Sequence, residues 1–200
     1  MNLKKFLTYV YFIVINLTII SNSHSIEPDV FVQSTVNRAS QILVDNFSKE
    51  EKIEKLKNVA KETVDIRGIG FYALGSYRKG ISDDEKKEYD DLFEKYFLQT
   101  FSSRLAEYSN PEIEVKSKKK LNKNYTMVSS ILVATEQRPE VSIDWRIYTK
   151  NLDDLKIRDL IIEGLSLART QKEEFSSIIE SNDGDINVLF ATLKEFINSK

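Results

Sequence analysis

The segment Ser82–Tyr108, SDDEKKEYDDLFEKYFLQTFSSRLAEY, carries the strongest pattern in the chain. Ser82 and Glu85 have the spacing of a capping box, and the two aspartates between them favour the positive end of a helix dipole. Apolar residues then recur at steps of three and four, which predicts a long amphipathic helix that ends before Pro111. These residues are Tyr89, Leu92, Phe93, Tyr96, Phe97, Phe101, Leu105 and Tyr108.

Downstream of this helix the apolar period changes to two, which predicts antiparallel β-strands. The clearest alternation runs from Val141 to Tyr148, with Trp145 on its apolar side. The four predicted strands are one around Ile113 and Val115, and the segments Tyr125–Ala134, Val141–Tyr148 and Leu155–Ile162. The second is apolar on both faces in part, so its register stays ambiguous. The basic segment Lys116–Asn124 is interpreted as a solvated loop, with contact to anionic head groups or an acidic partner as the alternative.

Helical periodicity flanks this β-rich region on both sides. The predicted helices cover 30–47, 49–64 and Phe71–Arg78 after a glycine-containing break at Asp65–Gly70, and two more begin near Thr170 and Asp185. The order predicts an α+β fold: N-terminal helices, an antiparallel sheet of about four strands, and two C-terminal helices packed on it. Residues 26–200 show no repeat or linker, so a single domain is expected.

The N-terminus has the features of a cleaved signal peptide. Lys4 and Lys5 precede an uncharged apolar run, 6–20, that is shorter than the ~20 residues a membrane span needs. Ser23 and Ser25 fit the small-residue positions of a cleavage site, so we expect residues 1–25 to be removed after Ser25.

Loss of this segment narrows the possible chemistry. It contains His24, the only histidine, and the chain has no cysteine, so residues 26–200 can form neither a Ser–His or Cys–His nucleophile nor a Cys/His zinc site. Removal of two lysines leaves 27 basic against 31 acidic residues, a formal charge of −4 instead of −2, which gives no bias toward nucleic acid. Carboxylate catalysis and oxygen-ligated metals remain open, but we assign no catalytic residue, metal or cofactor.

The aromatic stripe of the long helix leaves two interpretations open. It can be part of a filled core, or it can line an apolar cavity rimmed by tyrosine hydroxyls, which is how small hydrophobic ligands are held. Periodicity alone does not distinguish the two. Asp144 beside Trp145 has no identifiable second acid, and Arg67–Gly70 lacks the spacing of a phosphate loop.

Two segments together carry a more specific pattern. The first is VDIRGIGFYALGSYR, Val64–Arg78, followed by the aromatic helix; the second is IDWR, Ile143–Arg146, then a turn and IRDLIIEGLSL, Ile157–Leu167, with a helix reaching Phe175. In order and spacing they resemble the MlaC family, the periplasmic auxiliary component of phospholipid ABC transporters, also called the toluene-tolerance auxiliary family. The chain departs from the family's pattern at Leu155, Gln171 and Phe101, which affects the expected pocket shape.

The resemblance implies a periplasmic carrier, and no enzyme, that moves phospholipid between an outer-membrane lipoprotein–porin complex and an inner-membrane Mla-type ABC transporter, maintaining outer-membrane asymmetry. Binding is expected to rest on tail burial, because each buried methylene is worth ~0.8 kcal/mol, with little head-group selectivity. The residues expected to line an apolar lipid cavity are Leu74, Tyr77, Phe93, Phe97, Phe101, Ile131, Val133, Trp145, Ile147 and Ile161. Two rival functions stay open: a secreted carboxylate-dependent hydrolase and a ligand-free periplasmic scaffold.

Overall fold

The computed structural model describes residues 26–108 and 111–199, and the expected signal peptide lies outside them. Within those ranges the chain forms six α-helices, one 3-10 helix and five strands. The helices are α1 (Pro28–Val44), α2 (Lys49–Thr63), α3 (Ile66–Ala73), α4 (Asp83–Leu105), α5 (Leu167–Glu180) and α6 (Ile186–Asn198), with the 3-10 helix at Tyr77–Lys79. The strands are β1 (Ile113–Lys120), β2 (Tyr125–Leu132), β3 (Val141–Tyr148), β4 (Lys156–Ile162) and β5 (Leu165–Ser166).

The sheet is an antiparallel meander in which each strand pairs with the next one in sequence. This confirms the predicted α+β class and adds a short fifth strand. β5 forms because Glu163 and Gly164 turn the chain with positive φ angles of 49° and 82°, after which Ser166 pairs with Ile161. The turn brings the start of α5 back over the end of β4.

Pairing between β2 and β3 resolves the ambiguous register of β2. Val128 pairs with Trp145, so the even-numbered residues of β2 share the inner face of the sheet with that tryptophan. Ile131 therefore lies on the outer face. The predicted alternation of β3 is confirmed, because Ile143, Trp145 and Ile147 are all buried on the inner face.

The basic segment is largely a strand. The predicted loop at Lys116–Asn124 is wrong for its first five residues, because β1 continues to Lys120 and pairs with β2. Lysines are compatible with an edge strand whose side chains reach water. Lys118 also donates to the carboxylates of Glu27 and Asp29, at 2.8 Å each, which attaches this edge to the start of α1.

The predicted break at Asp65–Gly70 is also wrong, since α3 runs through its glycines. Asp65 caps this helix by accepting a hydrogen bond from the Gly68 amide at 2.8 Å. A Cβ atom on Gly70 would lie only 2.6 Å from Cδ1 of Phe93, so glycine is required for α3 to approach α4 this closely. Packing outweighs the low helix propensity of glycine here.

Of the remaining predicted helix boundaries, some are confirmed and others are wrong. The helix predicted over Phe71–Arg78 is divided between the end of α3 and the 3-10 helix. The N-cap of α5 is Ser166, whose hydroxyl accepts from the Arg169 amide at 3.1 Å, so α5 begins before the predicted cap at Thr170. The capping box of Ser82 and Glu85 and the cap at Asp185 are confirmed.

The helices and the inner face of the sheet share one continuous core. The corner between α2 and α3 is attached to β4, because Val64 bridges to Ile157 in parallel and the Asp65 amide donates to the Ile157 carbonyl at 2.9 Å. Arg158 donates twice to the Asp65 carboxylate, at 2.6 Å and 2.5 Å. The two sequence segments that carry the family resemblance therefore meet at this corner. Among the described residues, no helix combines the length and apolarity needed to cross a bilayer.

Candidate functional site

An apolar cleft of about 430 Å³ opens between α4 and α5 above the sheet. Its two walls are the second half of α4 and the first half of α5, and its floor is formed by residues of β3 and β4. The corner between α2 and α3 closes one end through Val64 and Ile69. This volume lies within the range of ~300–1,000 Å³ that is typical of small-molecule sites.

The cleft exists because its two walls pack on neighbouring elements more than on each other. α4 packs mainly against α2, α3 and α6, whereas α5 packs mainly against α3, α6 and β4. The two helices touch through Phe175, whose ring lies 6.1 Å from the rings of both Phe93 and Tyr96. The hydrogen bond from the Tyr96 hydroxyl to Gln171 also joins them, and the second half of α4 faces the cleft.

Three phenylalanines on successive turns of α4 form the wall. Phe93 is 1% exposed and belongs to the core, whereas Phe97 and Phe101 are half-buried. The rings of Phe97 and Phe101 stack with a centroid distance of 5.4 Å and an interplanar angle of 13°. Partly exposed aromatic rings inside a concave surface provide apolar area for a ligand to cover.

Trp145 forms the floor with its polar edge turned into the sheet. Its indole Nε1 donates to the Ser130 hydroxyl at 2.8 Å, and that hydroxyl donates to the Ile143 carbonyl at 3.1 Å. Because the only donor of the indole is satisfied, the ring offers the cleft apolar surface alone. Leu160, the cross-strand partner of Trp145, and Ile157 extend this surface along β4.

Polar side chains are concentrated at the rim. The Tyr96 hydroxyl donates to Gln171 Oε1 at 3.3 Å, and Gln171 Nε2 donates to Glu174 at 3.0 Å. Burial raises the pKa of Tyr96, and the negative charge of Glu174 adds to this effect. Arg104, on the last turn of α4, provides a positive charge on the other wall.

Asp159 lines the same cleft, but its carboxylate is used to hold the corner between β4 and α5. It accepts from the Ser166 hydroxyl at 2.7 Å and the Ala168 amide at 3.0 Å, and it lies 3.3 Å from Arg146. The side chain is 1% exposed. A carboxylate with three donors, buried from solvent, positions backbone and is poorly suited to proton transfer.

The structure brings together four of the ten residues predicted to line a cavity, namely Phe93, Phe97, Phe101 and Trp145. The other six lie elsewhere. Leu74 and Ile147 are completely buried in the core, and Tyr77 packs against the core from the 3-10 helix. Ile131 and Ile161 lie on the outer face of the sheet, and Val133 follows the end of β2, half-buried. Lipid contact by any of the ten stays a prediction.

The predicted set includes no residue of the α5 wall and none of the polar side chains at the rim. The cleft residues outside the predicted set are Val64, Ile69, Tyr96, Thr100, Arg104, Ile157, Asp159, Leu160, Leu167, Ala168, Thr170, Gln171 and Glu174. Pairing of β4 against Trp145 would have selected Leu160 in place of Ile161, because cross-strand partners share a face. Nothing in the local pattern of α5 separates a residue that faces a cleft from one that faces solvent.

Comparisons with known proteins agree with this architecture. The sequence profile of the family described as MlaC protein matches residues 33–195. The chain is 23% identical over 205 residues to the intermembrane phospholipid transport system binding protein MlaC of Haemophilus influenzae, covering 96% of this chain and 93% of that protein. It also resembles the structure of a phospholipid-binding protein from Ralstonia solanacearum in complex with a phospholipid. That match has a TM-score of 0.73 and 19% identity, and it covers 87% of this chain and 98% of the other.

Proposed function

This chain belongs to the MlaC family, and we propose that it is a phospholipid carrier whose apolar cleft holds an acyl chain. The carrier acts in the periplasm, after removal of residues 1–25, with residues 26–200 as its lipid-binding domain. It takes phospholipid between an outer-membrane lipoprotein–porin complex and an inner-membrane Mla-type ABC transporter, which maintains the asymmetry of the outer membrane.

The observation that carries this proposal is the pair of half-buried, stacked rings of Phe97 and Phe101 in a concave site with Trp145 at its floor. A filled core would bury these rings, so the ligand-free scaffold is the weaker reading. At ~0.8 kcal/mol per methylene, burial of one long acyl chain is worth on the order of 10 kcal/mol before the cost of association. Tail burial is therefore sufficient for stable binding without a specific head-group contact.

The volume of the cleft indicates how many acyl chains it can hold. If a methylene occupies about the liquid share of a water molecule, ~30 Å³, a cleft of about 430 Å³ holds about 14 methylenes, or roughly one tail. A second tail requires additional space. Because α4 and α5 meet chiefly through Phe175, we infer that this space arises when the two walls separate beyond that contact.

The rival hydrolase needs two carboxylates that converge in a polar cleft. Asp159 and Glu174 both line the site, but Asp159 is already committed to Ser166, Ala168 and Arg146. Most of the remaining lining is aromatic or aliphatic. This arrangement favours a carrier over an enzyme.

The test is lipid content by mass spectrometry after organic extraction of the chain purified from the periplasm. We expect near-stoichiometric phospholipid in the wild type and a loss of at least tenfold in Phe97→Asp, because a charge on the wall opposes tail burial. Gln99→Asp is the matched control, since it adds the same charge to α4 outside the cleft and should retain lipid. Trp145→Asp is a poorer choice because Trp145 is 7% exposed and belongs to the core.

Circular dichroism and urea denaturation verify that both variants are folded. Absence of lipid from the wild type would reject the carrier function. Full lipid content in folded Phe97→Asp would reject the cleft as the binding site and leave the family function standing.

A further inference from the structure

The mouth of the cleft carries one positive and one negative charge on opposite walls. Arg104 lies on the last turn of α4 and Glu174 on the second turn of α5, and both line the cleft. Among the described residues of its lining, the third charged group is Asp159, which is held by its own donors. The rim therefore has two charges that the fold itself does not use in an ion pair.

Arg104 is exposed and forms no ion pair within residues 26–108 and 111–199. Two of the other cations on α4, Lys86 and Lys95, have oppositely charged partners. A guanidinium group presents a rigid planar fork of donors that matches the oxygens of a phosphate. Its position at the end of an apolar wall places this fork where the polar end of a bound amphiphile would emerge.

Glu174 faces the same opening from α5. One of its carboxylate oxygens accepts from Gln171 Nε2 at 3.0 Å, and among the described residues no cation lies within ion-pair distance of the group. Gln171 in turn accepts from the Tyr96 hydroxyl, so the carboxylate is oriented from within the cleft. Tyr96, Arg104 and Glu174 all line the cleft. Burial raises the pKa of Tyr96; Glu174 adds to this effect and Arg104 opposes it.

We propose that this rim is a head-group subsite for zwitterionic phospholipids that carry an amine, with Arg104 binding the phosphate and Glu174 binding the ammonium group. The inference rests on the proposed carrier function and names the lipid class that the same cleft prefers. An anionic phospholipid with a glycerol head group would keep the contact with Arg104 and place no cation at Glu174. Phosphatidylethanolamine is the matching ligand class.

The expected preference is modest because both groups are exposed. Ion pairs in contact with solvent are weak, so we expect a preference of about threefold. Tail burial then provides most of the affinity, whereas the rim adjusts the affinity and decides which lipid is enriched.

The experiment incubates the delipidated protein with vesicles of equimolar phosphatidylethanolamine and phosphatidylglycerol that have identical acyl chains. The protein is reisolated, and mass spectrometry measures the ratio and the total amount of bound lipid. We expect the wild type to enrich phosphatidylethanolamine about threefold, and Glu174→Gln to bring the ratio to that of the vesicles. Arg104→Gln should reduce retention of both lipids about threefold.

Two matched variants control for general changes of surface charge. Lys87→Gln removes a positive charge from α4 and Glu173→Gln removes a negative charge from α5, both outside the cleft, and both should behave as the wild type. A wild-type ratio equal to the vesicle ratio overturns the subsite, as does an unchanged ratio in Glu174→Gln or equal losses in Lys87→Gln and Arg104→Gln. Absence of any lipid from the wild type instead overturns the carrier function on which the subsite rests.

Discussion

The two halves of α4 have the same aromatic pattern and opposite environments. In the first half Tyr89 is 0% exposed, and its ring lies about 6 Å from those of Phe71, Phe93 and Phe190. In the second half the stacked ring of Phe101 is half-buried and faces the cleft. The residue types and spacing do not change between the two halves; the neighbouring helices do.

The two halves of α4 differ in how closely the neighbouring helix approaches them. At the first half α3 approaches closely, because Gly70 has no side chain and its carbonyl accepts from the Tyr89 hydroxyl at 2.8 Å. At the second half the facing helix is α5, which is supported mainly by other elements. The cleft thus arises where the aromatic stripe of α4 continues beyond the region that α3 covers.

The largest expected effect comes from truncating the packed half. Tyr89→Ala should lower the free energy of unfolding by ~3–5 kcal/mol, because it leaves a cavity and removes the hydrogen bond to Gly70. Phe101→Ala, the matched truncation in the open half, should cost about 1 kcal/mol since the ring is only half-buried. Urea denaturation of delipidated proteins measures both. Equal losses would show that the two halves are packed alike.

A smaller effect should follow from widening the gap between α3 and α4. Gly70→Ala places a Cβ against the buried Phe93 ring, and overpacking costs ~1–3 kcal/mol even after the better helix propensity of alanine. At Gly80 a Cβ would have its nearest neighbour, the Tyr77 carbonyl oxygen, at 3.7 Å, so Gly80→Ala is the matched control and should be neutral or slightly stabilising. If Gly70→Ala leaves the free energy of unfolding unchanged, the close approach of α3 to α4 is not required to pack the first half of α4.

The contrast also explains how far the sequence predicts the fold. Local signals are strong where the chain determines its own geometry, as in the capping box at Ser82 and the alternation around Trp145. Local signals fail where residues that are distant in sequence determine the backbone structure. The glycines of α3 predict a break, and the helix persists because Phe93 occupies the space that a side chain would need.

Prediction of the site is limited for the same physical reason. The aromatic residues of the α4 wall can be predicted because they repeat at helical spacing. Trp145 can be predicted because apolar and polar residues alternate along β3. The sequence pattern places Ile131 and Ile161 on the wrong face of the sheet, because the register of β2 and the bulge between β3 and β4 depend on strand pairing that no single strand encodes. The rim charges of Arg104 and Glu174 look like ordinary surface residues until the two helices are placed beside each other.

The smallest expected effect concerns Tyr96, at the boundary between the two halves. Tyr96→Phe removes a long hydrogen bond to Gln171, and at pH 7 we expect a loss of about 0.5 kcal/mol. Burial raises the pKa of Tyr96 above 10.0 in the folded protein, so the unfolded chain ionises first as the pH rises. The wild type therefore loses stability above about pH 10, whereas the variant has no hydroxyl to ionise at this position.

The difference between the two proteins should accordingly shrink above pH 10 and can change sign. Urea denaturation at pH 7, 9 and 10.5 measures it, with Tyr108→Phe as a control for loss of an exposed hydroxyl. The other tyrosines are common to both proteins, so their ionisation cancels in the comparison. A difference that is constant from pH 7 to 10.5 would contradict a buried hydroxyl at Tyr96 and move the boundary between packed helix and open cleft toward the N-terminus of α4.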